Sequence, residues 1–131
     1  MKQVTLIMTK SDVSYMLNII IKYRLELMKD ESEFSERYRD SLSNTGYLLE
    51  LINAQYDGVD NVEKIEVTFD IESYLNLFDV LSHRIEVLNK DMIEAIKNSS
   101  LDVANMYEEE KGVCKKLYSQ VNERRFEVLH L

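Results

Sequence analysis

The sequence predicts a mainly α-helical domain with a small β element, an α+β chain built as a tandem β-α-α repeat. Three observations predict it. The 131 residues contain no proline and only three glycines, so the residues that punctuate loops are scarce and long regular elements are expected. Apolar residues alternate with period two in two short segments and recur every three to four residues in four longer ones. Residues 4–31 align with 65–92 without a gap at an offset of 61, hydrophobic on hydrophobic at nearly every core position. The chain reads as a single domain, 1–131, of two similar halves, 1–58 and 63–127.

The first element is a strand over Lys2–Thr9. Val4, Leu6 and Met8 share one face, and Gln3, Thr5 and Ile7 the other. That alternation marks a half-buried strand. Thr9 follows as a helix N-cap, with Asp12 three residues on, an acidic variant of the capping box. The first helix carries Val13, Met16, Leu17, Ile20, Leu27 and Met28. The second is expected to start at Asp30 with Glu33 three residues later. It carries Phe34, Tyr38, Leu42, Thr45, Leu49, Ile52 and Tyr56, the alternating 3-4 spacing of an antiparallel hairpin. Asp57-Gly58 breaks it.

The second half repeats the plan. Lys64–Asp70 alternates Ile65, Val67 and Phe69 against Lys64, Glu66 and Thr68. Asp70 caps the next helix, whose Glu72 suits its positive start. That helix carries Tyr74, Leu77, Phe78, Leu81, Ile85, Leu88, Met92 and Ile96. Asn98-Ser99-Ser100 is a turn, with Ser99 and Asp102 the expected cap of the fourth helix. The fourth carries Val103, Met106, Tyr107, Val113, Cys114, Leu117 and Val121. The tail, Arg124–Leu131, alternates like a strand at Phe126 and Val128 but also continues the helix, and the helix is favoured.

Short turns make each hairpin return to its origin, so the two strands are expected to pair antiparallel. A bare two-stranded ribbon leaves two open edges and is marginally stable alone. Self-association into a dimer, strand to strand or face to face, through Gln3, Thr5, Ile7, Glu66 and Thr68, follows as an expectation.

Bulk composition narrows function. Twenty-four acids against 16 bases give a net charge of −8, which disfavours direct nucleic-acid binding. The basic pairs are too sparse to reverse that. One cysteine excludes an internal disulfide framework. The opening MKQVTLIMTKSD has too short an apolar stretch for a signal peptide. The longest apolar run, Leu17–Ile21, is interrupted by Asn18 and falls far below the roughly 18 residues of a membrane span. A cytoplasmic protein without membrane contact is expected. Lys, Asn, Ile and Tyr together number 37 while Gly, Ala and Pro number 6, a bias toward AT-rich codons. That bias points to a low-GC bacterium or its phage.

Reactive constellations are sparse. Asp79, His83 and Glu86 share a helix face at metal-ligand spacing, beside rather than on the apolar stripe, so a solvated face is the expectation and no metal is assigned. Cys114 falls on the apolar stripe and reads as a buried thiol. Gly46 and Gly112 lie inside helical patterns, where each serves either close helix approach or a kink. No catalytic residue and no cofactor is assigned. The distinctive polar features are eight tyrosines and the run Glu108-Glu109-Glu110. With Tyr107 and Tyr118, that run is the candidate binding surface for a basic protein. The leading expectation is a non-enzymatic acidic protein-interaction module, such as a phage- or mobile-element-encoded modulator of a host protein. The alternatives are a small-ligand or metal-binding protein and a DNA mimic that inhibits a nucleic-acid enzyme.

Overall fold

The structure is a computed structural model that describes residues 3–29, 36–56 and 63–129. The order is β1 (Gln3–Thr9), α1 (Lys10–Lys29), α2 (Glu36–Tyr56), β2 (Lys64–Asp70), α3 (Ile71–Lys97) and α4 (Leu101–Leu129). The strands pair antiparallel as a two-stranded sheet, with Val4 opposite Phe69, Leu6 opposite Val67 and Met8 opposite Ile65. All six of these side chains are buried. Thus one face of the ribbon closes on the helices, and the alternate residues stay outside.

Both strand-to-helix junctions are capped as their sequences predict. The Asp12 N–H donates to Thr9 Oγ1 at 3.1 Å. The Ser73 N–H donates to Asp70 Oδ1 at 2.7 Å. Each bond satisfies a donor that the first helical turn would leave orphaned. The core joins Phe69 to Met16 and Ile20 of α1, Ile52 of α2, and Tyr74 and Leu77 of α3. Burial of each such side chain contributes about 1.5–3 kcal/mol. Tyr74, wholly buried, donates its hydroxyl to the Val121 carbonyl and so ties α3 to α4.

The ribbon is not bare, which changes the picture of open edges. Gln55 on α2 lies along the outer edge of β2. Its Nε2 donates to the Thr68 carbonyl at 2.8 Å, and its Oε1 accepts the Thr68 N–H at 2.8 Å. One amide side chain thereby stands in for a neighbouring strand. On the other edge, Gln120 Nε2 donates to the Ile7 carbonyl at 2.7 Å and Arg124 to the Thr5 carbonyl at 3.2 Å. Helices α2 and α4 therefore occupy hydrogen-bonding groups that strand-to-strand joining would need.

Several other expectations are corrected. Ser99 does not cap α4. It ends α3 in the left-handed region, with φ 58°. Its N–H reaches the Ile96 carbonyl at 3.0 Å, and the Ser100 N–H reaches the Ala95 carbonyl at 2.8 Å, the pattern of a Schellman C-cap. Ser100 precedes α4, and its carbonyl accepts the Ala104 N–H. Met28, Ile96, Val103, Met106 and Val113 fall on the apolar stripes but are exposed. For Ile96, Val103 and Met106 the stripes continue past the point where a third element lies against them, whereas Val113 points about 100° away from the buried Cys114 beside it. The expected start of the second helix at Asp30, with Glu33 and Phe34, and the Asp57-Gly58 break lie outside the described residues. The tail is helical to Leu129.

Glycine positions separate into two roles. A Cβ on Gly46 would stand 2.7 Å from the Arg24 guanidinium. That guanidinium crosses from α1 to donate to the Leu42 carbonyl and to Thr45 Oγ1. Gly46 thus permits close approach between the helices. A Cβ on Gly112 would meet nothing within 4 Å.

Candidate functional site

Two regions stand out, and only one presents itself outward. The inward one joins three helices. Tyr15 of α1, Arg84 of α3 and Glu110 of α4 converge because each lies at the edge of its apolar stripe. Arg84 Nε and Nη2 grip the two Glu110 oxygens at 2.7 and 2.9 Å. The Tyr15 hydroxyl donates to Glu110 Oε2 at 2.9 Å. Burial raises the Glu110 pKa, but the bonds from Arg84 and Tyr15 outweigh it and hold the carboxyl below its ordinary range. Burial, reinforced by the nearby negative charge, pushes the Tyr15 hydroxyl far above its usual value. The Arg84 guanidinium is raised, chiefly by its bond to Glu110. Cys114 lies beside them, fully buried, with its thiol directed at the Leu81 carbonyl. Burial raises its pKa, so the thiol stays protonated at neutral pH and is a poor nucleophile. This cluster neutralises its own charge and works as a clamp.

The candidate binding residues are therefore split. Glu110 faces inward and is engaged, while Glu108 and Glu109 are exposed. Consecutive helical residues point about 100° apart, so a run of three acids cannot present one face. Tyr118 is half-buried and stacks on Phe78, ring centroids 4.8 Å apart, with the Arg125 guanidinium also over the Phe78 ring. Tyr107 lies elsewhere, in a groove of about 290 Å³ between α3 and α4 that Asp91, Glu94, Ala95 and Val103 also line. The ribbon residues do share a surface. Gln3, Ile7 and Glu66 are exposed, and Thr5 and Thr68 are half-buried and bonded to each other at 2.9 Å.

The outward region is the turn-side half of the α3–α4 hairpin, residues 88–109. Only Leu88, Ala95 and Ala104 are buried there. Ile93, Ile96, Leu101, Val103 and Met106 are exposed, Met106 at 67%. Helices α3 and α4, of 27 and 29 residues, carry this pair beyond the ribbon core. The same stretch carries five acids (Asp91, Glu94, Asp102, Glu108 and Glu109) against Lys90 and Lys97. Sequence reasoning assigned Ile96, Val103 and Met106 to the core and did not single out Ile93 or Leu101.

The Asp79, His83 and Glu86 face is not assembled. His83 Nε2 instead meets Glu26 Oε2 of α1 at 2.9 Å, and its ring lies edge-on to Tyr23. Among the described residues no three His, Cys, Asp or Glu side chains are grouped to hold a metal ion. Among them, too, no helix is long and apolar enough to cross a membrane. Comparison with protein-family models, curated proteins and solved structures finds no match. Function is thus argued from the site.

Proposed function

We propose that the chain is a non-enzymatic protein-interaction module that docks through the turn-side half of the α3–α4 hairpin. The observation that carries the reading is the set of five large apolar side chains left exposed there. Large apolar side chains left exposed among polar ones mark interaction surfaces. Charge selects the occupant. Five acids against two lysines repel a second copy of the same surface and attract a segment of apolar anchors flanked by Lys or Arg. Tyr107, Glu108 and Glu109 keep their assignment to this surface. Glu110 and Tyr118 serve the fold instead.

A homodimer through Gln3, Thr5, Ile7, Glu66 and Thr68 is a secondary use of the molecule. With both strand edges engaged, it requires face-to-face stacking on Ile7. We also read the halves as a duplication. The register supports this, because Leu6 pairs with Val67, and these are equivalents at the offset of 61.

The test places a photo-crosslinking residue at Met106 or, separately, at Gln3, and identifies what each captures from cells. The expected partner crosslinks from position 106 through a basic segment. Purified, it then binds more weakly by about tenfold or more when Ile96→Asp and Met106→Asp are introduced, as burial of two large side chains requires. Retention of affinity by that double variant, at unchanged melting temperature, overturns the docking surface.

A further inference from the structure

At the opposite end of α3 lies a cleft of about 700 Å³ between α2 and the start of α3. Asn44 and Tyr47 line it from α2, and Asp70, Glu72, Ser73 and Asn76 from the other wall. Ser73 is 1% exposed, and its hydroxyl has no hydrogen-bond partner among the described residues. A buried, unpaired hydroxyl costs about 1–3 kcal/mol and points to a group that would satisfy it. Tyr47, 57% exposed, offers a ring at the mouth.

We infer that this cleft binds a guanidinium group. Electrostatics decides the sign of the ligand. The start of α3 supplies about half a positive charge, whereas Asp70 and Glu72 supply two full negative ones. An anion is thus repelled and a cation attracted. Hydrogen bonding decides its shape. The two carboxylates accept only, and the Asn44 and Asn76 amides and the Ser73 hydroxyl can each also accept, which suits a group with five donors in a fixed plane. The plane also suits stacking on Tyr47. One Asp70 oxygen already accepts the Ser73 N–H, which fixes the orientation of that carboxylate.

Calorimetric titration of the full chain with agmatine, with an acetylated and amidated arginine, and with a neutral ureido analogue tests this. Saturable one-to-one binding of a guanidinium compound is expected, with none for the ureido analogue. Glu72→Gln weakens it about tenfold or more, the size of one lost charge-assisted bond. Ser73→Ala weakens it severalfold. Equal affinity for agmatine and the arginine derivative indicates a free small molecule. Tighter binding of the derivative indicates a partner's arginine. Absence of saturable binding overturns the assignment. Retained affinity in both Glu72→Gln and Ser73→Ala does so as well, because it signals diffuse attraction to a chain of charge −8. The hairpin surface, at the other end of α3, stands or falls separately.

Discussion

Gln55 offers the sharpest test of how this small sheet is stabilised. Its amide closes two hydrogen bonds of 2.8 Å with the Thr68 backbone, one as donor and one as acceptor. In Gln55→Ala both backbone groups lose their partner. Each bond contributes about 0.5–1.5 kcal/mol net. Thr68 is half-buried, so water replaces part of the loss, and freeing the glutamine side chain returns some entropy. The expected cost is about 1–2 kcal/mol. Gln55→Glu separates geometry from chemistry. A carboxylate still accepts the Thr68 N–H, but its second oxygen then faces the Thr68 carbonyl with no hydrogen to donate. That variant should lose at least as much as alanine at pH 7 and recover below the carboxyl pKa, where one oxygen carries a proton. Urea unfolding followed by circular dichroism measures all three proteins, and light scattering reports their size. The alanine variant should also associate, because it opens the β2 edge. If both variants unfold within about 0.3 kcal/mol of the parent and stay the same size, Gln55 does not guard the edge and the reasoning fails.

Other substitutions have definite expected signs. Gly112→Ala should stabilise by about 0.5–1 kcal/mol, since nothing obstructs a Cβ there. Gly46→Ala should yield less or destabilise, because it displaces the Arg24 guanidinium from Leu42 and Thr45. Equal gains in thermal melting would contradict the inter-helix contact. Ser99→Gly should stabilise by about 0.5–1 kcal/mol by relieving a left-handed non-glycine residue, read from the same melts. Glu110→Gln should cost about 1–3 kcal/mol and change the acid limb of the stability profile. The folded Glu110 carboxyl lies below its ordinary 4.5, so its contribution is complete above that value and is lost as pH falls through the folded one. Tyr15 runs the other way. Its folded pKa lies above the ordinary 10.0, so its contribution is complete below pH 10 and declines as pH rises beyond it. Tyr15→Phe should remove that alkaline decline in a denaturation series.

The sequence by itself determined the elements and their order. Alternation at Val4, Leu6 and Met8 and at Ile65, Val67 and Phe69 set both strands and the face each would bury. Thr9 and Asp70 set the helix starts, because capping uses atoms only three residues apart. Burial of Cys114 was legible from its place on the α4 stripe. Tertiary structure decided which stripe positions are covered. An apolar helix face records that something can be buried, not how far along the helix a partner extends, so Met106 and Ile96 read as core although the fold leaves both exposed. It also decided the polar partnerships. Gln55 with Thr68, and Tyr15 and Arg84 with Glu110, join residues 13 to 95 positions apart, and no local periodicity encodes a hydrogen bond between separate elements. The hairpin surface and the α2–α3 cleft emerge only from that packing, because each is a space between elements.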